Sequence, residues 1–355
     1  GCPAGLALGE EDIQRYLDRR KPGQSRFATK RRERDEVEIL SGVFEGRTTG
    51  TPISMMVRNT DQRSHDYDEI KNLYRPGHAD YTFDAKYGFR DYRAGGRTSG
   101  RETIGRVADV VIDFSARVAA GAVAAKLLES LGIWVTAYTR SVGAIRISPE
   151  RFDPEERYRN RLCMPDSHAA LEAEAYLEQL MAKGDSAGGV VECVIDGLPA
   201  GIGEPVFEKL DARLAHALMS IGAVKGVEIG DGFGAAQAKG SVNNDCFRKA
   251  ADGSSVKESN HAGGILGGIS DGSQVVVRAA FKPTPSISQV QRTINRQGEV
   301  VEMEIKGRHD PIIAPRAVVV VEAMTAFTTA DVLLWSMTSR LDRVREFFCG
   351  RDGGR

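Results

Sequence analysis

Two polar stretches carry side chains that could exchange a proton with a substrate. "YRPGHADYTFD" places His78 directly after a Pro-Gly turn, with aromatic residues close by. Because imidazole titrates near neutral pH, His78 could donate or accept a proton during a reaction. The alternative interpretation is a loop histidine that only bonds to the backbone. "KGRHDP" (306–311) sets a cation, an imidazole and the carboxylate of Asp310 in a row, and the following proline favours extended backbone at Asp310.

A third stretch, "RAGGRTSGRET" (93–103), is suited to binding an anion. It interleaves arginines with glycines and with the hydroxyls of Thr98 and Ser99, and it leads into a predicted helix. Backbone N–H groups at a helix N-terminus attract phosphate, and glycine permits a close approach. The stretch lacks the GK[ST] ending of a Walker A loop, and no strand runs directly into it as in a dinucleotide fingerprint. A phosphate or other anion is therefore one interpretation of its role.

A fourth stretch, "RRKPGQSRF" (19–27), holds Arg20 and Arg26 on either side of a Pro-Gly turn. Two guanidinium groups fixed by a turn form a fork for phosphate or carboxylate. The surrounding segment 15–34 has nine Lys and Arg but two acidic residues. A solvated basic loop and a nucleic-acid-binding arm are the alternatives. The balanced net charge of −1 and the lack of interleaved aromatic residues argue against the nucleic-acid arm.

The composition restricts the class of protein. A chain of 355 residues suits one large domain or two ordinary ones, with a sizeable core. The five cysteines are scattered and show no CxxC spacing, which argues against a disulfide framework or a zinc site and for a reducing cytoplasm. No apolar run in the sequence approaches the roughly 18 residues that a membrane span needs. We therefore expect a cytoplasmic protein with no membrane partner and no metal.

Hydrophobic periodicity and turn residues predict a mixed α+β fold. An amphipathic helix is expected to begin at Pro205 and to place Phe207, Leu210 and Leu214 on one face. Residues 222–272 are dense in glycine, without a predicted element. The other predicted elements are a helix over 9–18, strands within 37–59, a long polar loop over 60–106, a helix ending at Gly132, strands within 133–148, a helix over 167–183, strands over 190–196 and 274–282, a hairpin over 286–305, and a segment from Ala317 to about Arg345 that is first strand-like and then helical.

An internal repeat relates the two halves of the chain. "GCPAG" (1–5) is nearly repeated as "GLPAG" (197–201), and a predicted helix follows each copy. A strand-like run, "VVECVID", precedes the second copy. Because such a helix must cover a sheet, we expect a strand before Gly1 in the natural protein.

Several long motifs, in order, closely resemble the chorismate synthase family from Gly1 to about Leu334. They are "DRRKPGQSR", "NTDQRSHDY", "RPGHADYT", "GGRTSGRET", "SIGAVKGVEIGDGF", "NHAGGILGGIS", "KPTPSI" and "KGRHDP". The resemblance implies a β-α-β sandwich with an internal pseudo-twofold repeat, formed by a single domain over 1–345 with its first strand missing. Residues 346–355 have no family counterpart and are expected to form a disordered tail.

The resemblance also implies an activity. The family converts 5-enolpyruvylshikimate 3-phosphate to chorismate and phosphate by a 1,4-anti elimination, a step of the shikimate pathway to the aromatic amino acids. It requires reduced FMN, which is thought to donate an electron transiently and to receive it back, so that there is no net redox change. NADPH is a possible source of the reducing equivalents. The family implies a cytoplasmic homotetramer that acts on a small molecule and binds no nucleic acid.

The resemblance assigns roles by motif. His78 would protonate the reduced flavin or its neighbourhood, and Asp310 would lie near the flavin N5 and assist proton removal. Substrate contacts are implied for Arg20, Arg26, Arg101 and Arg308. In some assignments Arg20 and Arg26 instead bind a nicotinamide nucleotide. FMN contacts are implied for Arg97, Thr98, Ser99, Gly222, Ala223, Gly267, Lys282, Pro283, Thr284, Pro285, Ser286 and Arg308.

The sequence departs from the family pattern in ways that leave alternatives open. The N-terminal Gly-Glu-Ser-His-Gly motif, with a second catalytic histidine, is absent. "RVADVVIDFSARVAAGAVAA" (106–125) contains "RVA" twice, as if about 11 residues had been inserted near 109–119. Thr98 and Gly100 stand where Ser and Ala are common. A catalytically impaired homologue that binds FMN or a phosphoester is therefore an alternative function, and a flavin oxidoreductase is another.

Overall fold

The structure is a computed structural model that describes residues 1–21, 27, 35–58, 71–90, 115–251, 253, 255–305 and 310–350. The helices of these residues are α1 (Glu10–Arg20), α2 (Asp80–Tyr87), α3 (Ser115–Glu129), α4 (Ser167–Ala182), α5 (Leu210–Met219), α6 (Gly240–Asn243), α7 (Ala314–Trp335) and α8 (Leu341–Cys349). The strands are β1 (Val37–Ser41), β2 (Val43–Phe44), β3 (Arg47–Thr48), β4 (Ser54–Val57), β5 (Trp134–Val142), β6 (Ile145–Arg146), β7 (Gly189–Asp196), β8 (Val224–Ile229), β9 (Phe247–Lys249), β10 (Ser255–Lys257), β11 (Ile265–Leu266), β12 (Ile269–Ser270), β13 (Val275–Phe281), β14 (Val290–Ile294) and β15 (Val300–Glu304).

A five-stranded antiparallel sheet with the order β6-β5-β7-β13-β8 forms the frame. Strand β13 alternates as a half-covered strand should, and its residues Val275, Val277 and Ala279 are fully buried. The register places Gly189 opposite both Val142 and Phe281, and Phe281 opposite Val224. These four residues mark one end of the sheet, which we call the Phe281 end.

Helices α1, α3, α5 and α7 form one layer against this sheet. Helix α7 contacts β5 and β7 as well as the other three helices. On their far side, α1 and α3 contact the antiparallel pair β1–β4. The helices therefore lie between two sheets, which confirms the β-α-β sandwich and the α+β class.

Helix α7 corrects two expectations from the sequence. The segment from Ala317 is helical from its start, although the run Val318–Val321 has strong β propensity. Burial on several sides overrides that propensity, because α7 is the central core helix. Its length and composition would also allow it to cross a membrane, with a hydropathy of 1.7, so the expectation that no apolar run is long enough is wrong. Since 72% of its most apolar stretch is buried inside the protein, α7 is accounted for as a core helix.

Three other expectations differ from the structure. Helix α5 begins at Leu210 rather than Pro205, because Val206 adopts a left-handed φ of 64° that interrupts a helix, and Phe207 is 89% exposed. Helix α2 lies inside the stretch expected to be a loop. It is capped by Gly88 at φ 75° and has no apolar face that periodicity could reveal. Strand β8 lies inside the glycine-dense segment.

Two predicted segments, the C-terminal tail and the apparent insertion near 109–119, lie partly outside the described residues. Helix α8 includes residues 346–349 of the segment expected to be a tail, and residues 351–355 lie outside the described residues. The apparent insertion near 109–119 is described only from residue 115, where α3 begins.

The first copy of the internal repeat is held by one buried hydroxyl. Thr48 Oγ1 donates to the carbonyl of Pro3 at 2.6 Å and accepts from the N–H of Leu6 at 3.0 Å. The carbonyl of Thr48 accepts from the N–H of Gly5 at 2.8 Å. The hairpin β2–β3 thus fixes the turn that leads into α1.

The second copy repeats these contacts one for one. Ser270 Oγ donates to Pro199 O at 2.6 Å and accepts from the N–H of Ile202 at 2.9 Å, and its carbonyl accepts from the N–H of Gly201 at 2.8 Å. Here the hairpin β11–β12 fixes the turn that precedes α5. Gly5 and Gly201 share a positive φ, of 93° and 96°. The predicted relation between the two halves is confirmed.

The two hydroxyls should be worth similar amounts of stability. Thr48→Val and Ser270→Ala are each expected to lower the free energy of unfolding by about 1–3 kcal/mol, because each removes the hydroxyl that joins a backbone N–H to a carbonyl in a partly buried turn. Urea unfolding followed by circular dichroism measures this. Thr48→Ser, which keeps the hydroxyl, is the control and should lose less. Midpoints unchanged in both variants would contradict the assignment.

Candidate active site

The segment Lys282–Ser286 follows β13 directly and lies at the Phe281 end of the sheet. The N–H of Lys282 donates to the carbonyl of Ala223 at 3.0 Å. The hydroxyl of Ser186 donates to the carbonyl of Thr284 at 2.7 Å. The segment is therefore fixed by the residues that precede both β8 and β7.

A tight turn presents His78 to this segment. The N–H of His78 donates to the carbonyl of Arg75 at 3.2 Å, and Gly77 has a φ of 71°. Proline followed by a glycine of positive φ is the pattern of a type II turn, so the predicted Pro-Gly turn is confirmed. A Cβ on Gly77 would lie 2.7 Å from Cβ of Pro285, and Nζ of Lys282 donates to the Gly77 carbonyl at 2.5 Å. Glycine is favoured there by its positive φ and because the ring of Pro285 leaves no room for a Cβ.

The imidazole of His78 is held at both nitrogens. Nδ1 lies 3.2 Å from the carbonyl oxygen of Pro76, and Nε2 lies 3.0 Å from Oγ of Ser286. Burial lowers the pKa of His78 to about 4, and the nearby charge of Arg75 acts in the same direction. The imidazole is therefore neutral at pH 7.

A buried carboxylate that sequence reasoning missed supports the turn. Asp80 is 1% exposed at the start of α2. It accepts from Nε and Nη2 of Arg75 at 2.8 and 2.9 Å, and Arg90 Nη1 lies 3.3 Å away. Burial alone would raise the pKa of Asp80, but the hydrogen bonds and charge of Arg75, with Arg90, lower it overall. The short spacing in "RPGHAD" was the sequence feature that could have indicated Asp80, since it lets the arginine and the aspartate form a salt bridge across the turn.

The hairpin β14–β15 fixes the chain just before this turn. Its Thr293 Oγ1 donates to the carbonyl of Tyr74 at 2.5 Å, and the N–H of Tyr74 donates to the carbonyl of Ile294 at 3.1 Å. The predicted hairpin is confirmed by the register of its two strands. It positions the His78 turn from the side opposite Lys282–Ser286.

Asp310 lies near the same end, just before α7. The carbonyl of the next residue, Pro311, accepts from the N–H of Ala187, close to the start of β7. The carboxylate of Asp310 accepts from Nη1 of Arg316 at 2.6 Å, and Nε of Arg316 donates to the carbonyl of Arg20 at 3.3 Å. Arg316 thus joins two predicted site residues and was itself missed.

Arg20 is directed into the protein. Its side chain is 1% exposed and pairs with the carboxylate of Asp35. The neighbouring Arg19 donates to both oxygens of the buried Glu322, at 2.5 and 3.0 Å. These two arginines of the basic segment are committed to the core, which leaves less support for a nucleic-acid-binding arm.

The structure brings some of the predicted cofactor contacts together and separates one. Gly222 and Ala223 directly precede β8 at the Phe281 end, and Ala223 has a φ of 66°. Gly267 lies in the β11–β12 turn, beside the opposite end of β13, where Gly264 approaches Val275. The seven residues of β13 place it about 20 Å from Lys282. Within one chain, Gly267 is therefore not part of this cluster.

Comparison with known proteins identifies the family. A family model described as chorismate synthase matches residues 1–334. The chain belongs to the chorismate synthase family. Chorismate synthase of Lachnospira eligens is 62% identical over 98% of this chain and 92% of the relative, and that of Chloroflexus aurantiacus is 54% identical over 96% and 90%. A solved structure described as a crystal structure of chorismate synthase superposes with a TM-score of 0.73 at 33% identity, covering 98% of this chain and 90% of the other.

Membership in the chorismate synthase family confirms the recognition made from the motifs. It places the chain among the lyases of the shikimate pathway and of aromatic amino-acid biosynthesis. All the roles assigned by resemblance stay predictions. Six of the assigned residues also lie outside the described residues: Arg26, Arg97, Thr98, Ser99, Arg101 and Arg308.

The helix that follows the 93–103 motif reaches the Phe281 end. Arg117, in the first turn of α3, donates through Nη1 to Oγ of Ser220 at 2.5 Å. Ser220 lies two residues before Gly222. Helix α3 therefore starts at the end of the sheet where His78, Lys282–Ser286 and Asp310 are collected.

Proposed function

We propose that the chain catalyses the 1,4-anti elimination of phosphate from 5-enolpyruvylshikimate 3-phosphate to give chorismate, with reduced FMN and no net redox change. The observation that carries the proposal is the collection of His78, Lys282–Ser286 and Asp310 at one end of the sheet in a member of this family. The bond between C3 and the phosphate oxygen breaks, a hydrogen leaves C6, and a new double bond forms.

The described residues fit a phosphorylated flavin. The hydroxyl of Thr284 is buried and has no hydrogen-bond partner among the described side chains and backbone. Lys282 supplies a cation beside it, and Gly222 and Ala223 offer backbone without bulky side chains. Partial burial, with the charge of Lys225, lowers the pKa of Lys282. When bound, reduced FMN would supply an electron transiently and take it back.

The chain's own residues would supply charge and proton transfer. Expulsion of phosphate builds negative charge, which cationic side chains stabilise best where water is excluded. Lys282 is one of the described cations in the cluster, and we propose that Arg97, Arg101 and Arg308 add to it. Asp310, oriented by Arg316, would assist removal of the hydrogen at C6. His78 would contribute near the flavin.

Other features implied by the family are part of the proposal. We propose a cytoplasmic homotetramer that takes reduced flavin from an external source, with NADPH as the origin of the electrons. The neighbouring subunits of such an assembly would explain how Gly267, remote from the cluster within one chain, contributes to a flavin site.

An anaerobic assay tests the reaction. The chain is mixed with reduced FMN and 5-enolpyruvylshikimate 3-phosphate, and phosphate and chorismate are followed together. We expect equal amounts of both products, and none with oxidised FMN. Asp310→Asn is expected to lower kcat by about 10²–10⁴-fold, the usual contribution of a positioned general base.

Asp331→Asn is the matched control, because Asp331 also pairs with an arginine, Arg213 at 2.5 Å, but near the other end of α7. It should leave kcat within about twofold of the wild type. Binding of FMN without any turnover by the wild-type chain would reject the proposal in favour of the impaired binding homologue.

A further inference from the structure

The hydrogen-bond partners of His78 determine which nitrogen carries its proton. The partner of Nδ1 is the carbonyl oxygen of Pro76, which can only accept, so Nδ1 must donate. A neutral imidazole has one N–H, and its other nitrogen is an acceptor. Nε2 therefore accepts, and the hydroxyl of Ser286 at 3.0 Å is the donor.

The neutral state of the ring follows from its surroundings. His78 lies in a partly buried position next to two cations, Arg75 and Lys282, and one anion, Asp80. Asp80 is already neutralised by its two-pronged pair with Arg75. Burial and the remaining positive charge disfavour an imidazolium cation.

We propose that Ser286 is a positioning residue that, together with the carbonyl of Pro76, holds His78 as the neutral tautomer protonated at Nδ1. The catalytic role of this tautomer rests on the proposed function, which the inference deepens. The family resemblance implies that His78 gives up a proton. In this geometry the proton of the ring lies at Nδ1, and Nε2 accepts a hydrogen bond from the serine hydroxyl.

The frame around the pair is rigid enough to impose one tautomer. The contact between Gly77 and Pro285 and the bond from Lys282 to the Gly77 carbonyl join the turn to the segment that carries Ser286. Asp80 anchors the other side of the turn through Arg75. These contacts fix the distance between the backbone of the turn and that of the segment, and so place the carbonyl of Pro76 and the side chain of Ser286 on the two ring nitrogens.

Nitrogen NMR of the full chain labelled with ¹⁵N-histidine tests the proposal without flavin or substrate. His78→Asn identifies the His78 signals by their loss. In the wild type we expect Nδ1 at the shift of a protonated nitrogen and Nε2 at that of a bare one, with no protonation until the pH falls well below 6.5. In Ser286→Ala we expect averaged shifts from both tautomers and a titration midpoint raised by about one pH unit, because a donor to the neutral form is lost.

Ser186→Ala is the matched control, since Ser186 bonds to the same segment but to the carbonyl of Thr284. It should leave the His78 signals unchanged, and Ser286→Thr, which keeps the hydroxyl, should restore the wild-type tautomer. A wild-type ring protonated at Nε2, or identical His78 signals in Ser286→Ala, would overturn the proposal. If the fold of Ser286→Ala fails, the wild-type tautomer still decides.

The kinetic readout separates this inference from the proposed function. With the elimination established, Ser286→Ala is expected to lower kcat about tenfold or more with a smaller change in KM, and to move the acidic limb of the rate profile upward. Absence of elimination in the wild type together with the expected tautomer would reject the proposed function and leave the inference standing.

Discussion

Replacement of Arg316 by Gln is expected to lower kcat for the proposed elimination by about 100-fold. Nη1 of Arg316 lies 2.6 Å from the carboxylate of Asp310, and its Nε bonds to the carbonyl of Arg20 at 3.3 Å. Loss of this partner lets the carboxylate move, and a displacement of about 1 Å costs about that factor in rate. KM should change less, because Arg316 is not proposed to touch the substrate. Initial rates under anaerobic conditions measure both.

Two further variants show whether Arg316 acts through Asp310. The double variant Arg316→Gln/Asp310→Asn should be no slower than Asp310→Asn alone. Once the Asp310 carboxylate is gone, Arg316 has no carboxylate left to position, so its loss adds no further effect. Arg213→Gln removes the comparable pair with Asp331 near the other end of α7 and should leave kcat within about twofold of the wild type. Independent, multiplying losses in the double variant would contradict a positioning role.

Gly121→Val is expected to prevent folding or to lower the free energy of unfolding by more than about 3 kcal/mol. Gly121 lies in α3 where it crosses α7, and a Cβ there would come within 2.3 Å of Cβ and 2.4 Å of Cα of Ala323. Because the contact includes backbone, no change of rotamer can relieve it, and the two helices would have to separate. Thermal and urea unfolding of the purified variant measure the loss.

Gly234→Ala is the control for this prediction, since an added Cβ at Gly234 meets no atom within 4 Å. Its unfolding free energy should stay within about 0.5 kcal/mol of the wild type, the usual range for surface changes. A Gly121→Val chain of unchanged stability would show that α3 and α7 do not pack as closely as described.

The elements best predicted from the sequence are those whose periodicity reflects one buried face. Strand β13 alternates, and α4 ends at Ala182, two residues before Gly184, whose φ of 66° stops the helix as its glycine predicts. The first part of α7 was predicted as a strand because its burial on several sides removes the helical period and leaves a run of valines. Strand β8 was missed because glycines obscured it, and its partner β13 stabilises it across the sheet.

The sequence motifs indicated which residues form the candidate site, but not which of those residues contact one another. His78 and the segment Lys282–Ser286 stand out by type and spacing, but their contact joins residues 208 positions apart. The burial of Arg20 against Asp35, and the link from Arg316, depend on where α1 and α7 meet. A sequence shows which groups are present, whereas the fold decides which of them touch.

The wide separation of these pairs in sequence has a consequence for the order of folding. The bond between Arg316 and Arg20 spans 296 positions, so it closes only after both ends of the chain have come together. Contacts of such long range form late and slow the approach to the native state. A partly folded chain would have α4 or the β14–β15 hairpin but no assembled pocket. A ligand bound at this end would therefore select the completed fold and stabilise the whole domain by mass action.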